Sequence, residues 1–186
     1  FRTQLAAWGI RTPVQVETTV VEDAACEAPR PASGSDRAPV NLLFMSRLDR
    51  EKGLIEAIEA YARVRERHPN CRLTIAGDGP ERSRAEQLVE ERALPGVHFI
   101  GHVEGDAKRA AFLEADLFFF PTCYGEGMPN AVLEAMAWGL PVVTRAVGGL
   151  RDFFEDGRMG RITDSRDPAE LAALLLPLVG DRKRRD

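Results

Sequence analysis

The chain has 186 residues, 25 Lys+Arg against 29 Asp+Glu and a formal net charge of -4. That is about the length of one domain, without the basic surface that binding nucleic-acid phosphates requires. Hydrophobic residues make up 44% and charged residues 29%, which excludes a disordered chain, and apolar stretches such as Leu117 to Phe120 fall far short of the roughly 20 residues of a membrane span.

Phe1 to Ile10 lacks the layout of a signal peptide. Val14 to Val21 alternates along Val14, Val16, Thr18 and Val20, which predicts a strand with two unlike faces. Asp23 to Pro39 is rich in Pro, Ala, Ser and Gly and reads as a linker. Residues 1–39 are thus a connection, a first strand and a linker, and the domain runs over 40–186, with strand 14–21 as part of it. Asn41 to Met45 is a continuous apolar run, the mark of a strand buried on both faces. After it Leu54, Ile55, Ile58, Tyr61 and Ala62 recur on one helical face. Cys71 to Gly77 predicts a strand and Pro80 to Leu94 a helix, with Pro80 in its first turn. Val97 to Gly101 and Asp116 to Pro121 are strands flanking a helix over Asp106 to Ala115. Asn130 to Gly139 is a helix stopped by its glycine, Pro141 to Thr144 a strand, and Pro168 to Val179 a closing helix.

This alternation of strand and helix predicts an α/β fold, a doubly wound, Rossmann-like parallel sheet with helices on both faces. Such sheets bind ligands beyond the carboxyl ends of their strands, and the unusual residues gather in the loops that leave strands. Ser46 to Gly53 (SRLDREKG) puts Arg47 and Lys52 at a helix start, where two cations add to free N–H groups and suit a phosphate; two solvated charges are the alternative. Ala76 to Pro80 (AGDGP) lets the backbone approach a ligand at Gly77, or makes a plain tight turn. It departs from a dinucleotide fingerprint, because Arg82 stands where a glycine is needed. Pro121 to Val143 carries Glu126 in a Gly-rich turn and Glu134 eight positions on, within the next helix. A carboxylate beside the N–H groups of Gly125 to Asn130 could accept sugar hydroxyls. Glu134 has apolar neighbours and needs a partner if buried; a solvated Glu126 and a salt-bridged Glu134 are the structural alternatives. Gly148 and Gly149 add another close backbone approach. Four loops on one edge then carry glycine, cation or carboxylate, as a phosphate-plus-sugar ligand would require.

Cys26, Cys71 and Cys123 are widely spaced, with neither metal-ligand nor disulfide patterning, which points to a reducing cytoplasm. His68 and His98 are expected to be structural, and Trp8 and Trp138 to be packing residues. The basic run Asp181 to Arg185 reads as a solvated helix end or as an attraction to an anionic membrane.

Taken in order, SRLDREKG, AGDGP, VHFIGHV, the segment Ala115 to Gly149 and DGRMGRI resemble the donor-binding, C-terminal half of a retaining glycosyltransferase of family 4, with GT-B architecture. The resemblance covers Asn41 to about Val179, and Glu126 and Glu134 match the family's paired glutamates. It implies an enzyme moving a hexose from a nucleotide diphosphate sugar to a saccharide or lipid-linked acceptor. Arg47 and Lys52 would hold the diphosphate and offset leaving-group charge, and Glu126 would contact the transferred sugar. Glu134 would bind the ribose hydroxyls. Gly77, Gly127, Met128 and Asn130 would line the donor's path, and His102 and Val103 would flank the base. No metal or other cofactor is expected. Cys123 and Asp152 depart from the serine and glutamate usual at their positions. The acceptor-binding half would precede residue 1, with FRTQLAAWGI the tail of the connection, leaving the fragment inactive alone and the whole enzyme cytoplasmic, at the inner face of a membrane. A nucleotide-binding-only module and a nucleotide-sugar epimerase or phosphorylase on the same architecture are the rival readings.

Overall fold

The computed structural model describes residues 7–9, 11–12, 39–125 and 127–185; the strand expected at Val14 to Val21 and most of the linker lie outside the described residues. Six parallel strands form one sheet: β1 (Asn41–Met45), β2 (Arg72–Ala76), β3 (Val97–Gly101), β4 (Leu117–Phe120), β5 (Val142–Arg145) and β6 (Gly160–Thr163). Their spatial order is β3-β2-β1-β4-β5-β6. Between them run α1 (Leu54–Arg67), α2 (Arg82–Glu91), α3 (Gly105–Glu114), α4 (Asn130–Ala137) and α5 (Leu150–Phe153), and α6 (Pro168–Gly180) follows β6.

The central strands are apolar throughout because both their faces are covered. Leu42 to Phe44 and Leu117 to Phe119 are fully buried, whereas edge strand β3 leaves His98 and Ile100 exposed in alternation. The chain runs outward through β2 and β3, then back through α3 to β4. With the right-handed crossovers usual for parallel strands, α1 and α2 cover one face and α3 and α4 the other, and α6 returns to the face of α1. On one face α1 packs against α6, burying Leu54, Ala57, Ile58, Ala60, Tyr61 and Val64. On the other, α3 lies beside α4, with Phe112 stacked on Trp138 at 6.3 Å between ring centroids. Trp138 is thus a packing residue as expected; Trp8 is not, being 67% exposed, and exposed His98 has no packing role either.

Several boundaries shift for local reasons. Helix α2 starts at Arg82 because Gly79 and Pro80 form a turn, closed by Arg82 N–H donating to the Gly79 carbonyl at 3.1 Å. Pro141 has no N–H to give a ladder, so β5 begins one residue later. Strand β6 was not foreseen: its four residues, GRIT, are only partly buried apart from Gly160, so neither a continuous apolar run nor a clean alternation marks it.

Candidate functional site

Strand order reverses between β1 and β4, since β1 leads to β2 on one side and β4 to β5 on the other. A ligand crevice is expected at that switch point, beyond the strands' carboxyl ends. The loop from Ser46 to Gly53 leaves β1 there, and the loop from Pro121 to Pro129 leaves β4. The two are tied together at one atom. The Glu51 carbonyl accepts the Cys123 N–H at 2.8 Å, the Cys123 Sγ–H at 3.2 Å and the Thr122 hydroxyl at 3.3 Å. Gly53, at φ +78°, faces the Pro121 carbonyl so closely that no Cβ would fit. Arg145 braces the second loop by donating to Thr122 O at 3.3 Å and to Ser165 O at 2.9 Å.

The two flanking loops join the same edge. Leu48 N–H donates to Asp78 O at 2.8 Å and Glu81 N–H to Leu48 O at 2.9 Å, so AGDGP packs directly on SRLDREKG. Gly77 donates its N–H to Gly101 O at 2.6 Å, and the close approach its missing side chain permits is filled by the Ser46 carbonyl. On the other side Gly149 N–H donates to Gly127 O at 2.8 Å, with Met128 against the Gly149 Cα.

Each expected site residue can be located on this edge except Glu126, which lies outside the described residues. Arg47 points into solvent, 75% exposed, with its Nε 3.2 Å from Asp49 Oδ2. Lys52 closes the short 3-10 turn Arg50–Lys52 and sets its ammonium 4.3 Å from the centroid of the half-exposed Tyr124 ring, a favourable cation–π distance. Gly127 is exposed, Met128 half-buried and Asn130 exposed as the first residue of α4. The residue before it is Pro129, and no side chain caps that helix. Glu134, in the middle of α4, is partly buried and accepts from Lys108 Nζ at 2.7 Å, so it has the partner that its apolar surroundings demand. Val103 is half-buried against the core. Beside it the exposed His102 ring lies 2.9 Å from a Glu104 carboxyl oxygen, and hydrogen bonding to His102, then its charge, hold the Glu104 carboxyl below its usual range.

Sequence reasoning missed Lys108, Tyr124 and Arg145. Lys108 had a usable signal: it sits in the helix that leaves β3, on the same edge as the other loops. Tyr124 adjoins a quoted glycine, but nothing local marks it as lying over Lys52. No group of His, Cys, Asp and Glu among the described residues could hold a metal ion, and none of their helices is long and apolar enough to cross a membrane. A cavity of about 600 Å³ opens at the opposite edge of the sheet, near Pro141, Gly160, Arg158 and Lys183. It adjoins none of the converging loops, so its size alone does not make it the site.

Residues 27–186 match the family model described as glycosyl transferases group 1. The chain is 35% identical over 172 residues to a glycogen synthase of Mycobacterium tuberculosis, covering 91% of this chain but 41% of that protein. It therefore spans less than half the length of that relative. Among solved structures, it resembles the C-terminal domain of a glycosyl transferase group 1 family protein (LpcC) from Francisella tularensis, with a TM-score of 0.74, 21% identity and coverage of 89% of this chain and 91% of that one. It also resembles Anabaena Alr3699/HepE in complex with UDP and glucose, with a TM-score of 0.70, 23% identity and coverage of 81% and 41%. The doubly wound sheet is thus that of a GT-B C-terminal domain, and the chain belongs to the group 1 glycosyl transferases.

Proposed function

We propose that this chain is the donor-binding domain of a retaining glycosyltransferase, which moves a hexose from a nucleotide diphosphate sugar to a saccharide or lipid-linked saccharide. The observation that carries the reading is the meeting of the Ser46–Gly53 and Pro121–Pro129 loops on the Glu51 carbonyl, at the switch point of the sheet. That junction brings the segment bearing Arg47 and Lys52 against the segment that leads to Glu134. Arg47 and Lys52 hold the diphosphate and offset charge as the nucleotide leaves; Glu134 accepts the ribose hydroxyls. Glu126 contacts the transferred sugar, while Gly77, Gly127, Met128 and Asn130 line the path and Val103 flanks the base. Catalysis is then positioning plus electrostatic stabilisation of the leaving group, with no metal.

The acceptor is held by a preceding domain, so residues 40–186 bind donor but do not turn it over alone. The whole enzyme works in the cytoplasm, at the inner face of a membrane, and the Arg182–Arg184 run supports that placement. Calorimetric titration of the chain with UDP, GDP and their glucose and mannose conjugates tests the reading. At least one is expected to bind, and Glu134→Ala is expected to weaken it about tenfold, the loss of charge-assisted hydrogen bonds. Failure of all of them to bind would overturn it.

A further inference from the structure

At the carboxyl edge of the sheet the first turns of α3 and α4 stand side by side, and one ion pair joins them. Lys108, the fourth residue of α3, donates from Nζ to Oε1 of Glu134, the fifth residue of α4, at 2.7 Å. Beneath the pair the helices are held together by Phe112 stacked on Trp138 and by the Arg109 guanidinium 5.9 Å over the same indole. Lys108 therefore reaches Glu134 from a packed helix. Both side chains are partly withdrawn from water, 36% and 27% exposed. A glutamate side chain left to itself samples several rotamers, and an ammonium bound to one oxygen selects among them. A carboxylate has about four lone-pair sites on its two oxygens, so one given to Lys108 leaves Oε2 able to accept hydroxyl donors.

We infer that Lys108 is a positioning residue for the donor: it fixes the Glu134 carboxylate in the orientation that accepts the ribose hydroxyls. The inference rests on the ribose role proposed above for Glu134. It also gives the ion pair a place in the site's layout. Helix α3 follows the β3 exit at Val103, on the base side, and α4 follows the β4 loop, on the sugar side. Lys108 spans the two, and its charge is met by Glu134 instead of being added to the Arg47 and Lys52 cations.

The test measures affinities for UDP and GDP beside their 2′,3′-dideoxy forms, which keep base and diphosphate but lack both ribose hydroxyls. It uses the parent chain, Glu134→Ala, Lys108→Met, Lys108→Gln, Lys108→Arg and the double variant Lys108→Met with Glu134→Ala. The parent is expected to prefer the hydroxylated nucleotide by about tenfold, as charge-assisted hydrogen bonds would give. Glu134→Ala, Lys108→Met and Lys108→Gln should shrink that ratio to within about twofold, Lys108→Arg should retain most of it, and the double variant should match Glu134→Ala. A Lys108→Met that weakens both forms equally, or adds to the effect of Glu134→Ala, would make Lys108 a phosphate ligand or a fold prop and overturn the inference. A Lys108→Met ratio equal to the parent's, with the ratio lost in Glu134→Ala, overturns the inference alone and leaves the role of Glu134 standing. An unchanged ratio in Glu134→Ala overturns the ribose reading, and the inference falls with it. Lys108→Gln decides in the same way should Lys108→Met show a lost fold by circular dichroism.

Discussion

At Gly77 the backbone takes φ +133°, and a Cβ placed there would fall inside the carbonyl oxygen of Ser46, which opens the β1 loop. Because the obstruction is backbone, relief requires either β1 or β2 to move, and Arg47 moves with Ser46. Gly77→Ala is therefore expected to cost on the order of 3 kcal/mol in urea unfolding and also to weaken nucleotide diphosphate binding; a variant as stable as the parent would show that the two strand ends can part freely. At this scale the sequence revealed residue types better than reasons. Glycine in AGDGP was legible as a close approach, but nothing in the string says that the approaching group is Ser46. Arg47, Lys52 and Glu134 were found because each sits in or just beyond a strand-to-helix loop. Lys108 shares that placement, in the helix after the β3 exit, but its pairing with Glu134, 26 residues away on another helix, is encoded by no local pattern.

Elements were legible where burial is one-sided or complete. Asn41 to Met45 and Leu117 to Phe120 announce themselves because strands covered on both faces must be apolar throughout, and α1 because its apolar stripe faces the sheet. Strand β6 escaped because a short edge strand needs little apolar character; what holds it is its four-residue parallel pairing with β5, which at Gly160 brings the backbone so close to Val142 that no Cβ would fit. Helix α6 illustrates a terminus that could be read residue by residue. Asp167 precedes Pro168, and its Oδ1 accepts the Ala169 N–H at 2.8 Å. Removing this cap with Asp167→Ala should cost about 1 kcal/mol, and Asp167→Asn should restore most of it. Urea midpoints of the three proteins measure this directly, and an Asp167→Ala midpoint equal to the parent's would mean the cap contributes nothing to the fold.

Over the whole molecule the sheet separates two edges with different work. Glycine loops and cations that leave the strands crowd the carboxyl edge, while at the amino edge the starts of β2 and β3 are tied to α1. There Tyr61 on α1 lies within hydrogen-bonding reach of the carbonyls of Cys71 at 2.8 Å and Pro95 at 3.0 Å, just before β2 and β3. Arg65 donates to the same Cys71 carbonyl at 2.5 Å. Burial pushes the Cys71 thiol up from its ordinary 9.0 to about 12, and burial likewise raises Tyr61. Both groups are neutral when protonated, so the folded chain keeps protons that the unfolded chain gives up first as pH rises. The stability this represents is fully present below about pH 9, and for Cys71 it is lost progressively between pH 9.0 and about 12. The parent's urea midpoint should accordingly fall from pH 9 upward, and the gap between parent and Cys71→Ala should narrow over the same interval. Cys71→Ala starts lower, having lost packing at a fully buried position, but has no thiol to ionise. The decline remaining in that variant is then assigned to Tyr61 and the other alkaline groups. Midpoints of the two proteins that fall in parallel from pH 9 to 11 would show that the buried thiol does not couple the amino edge to pH.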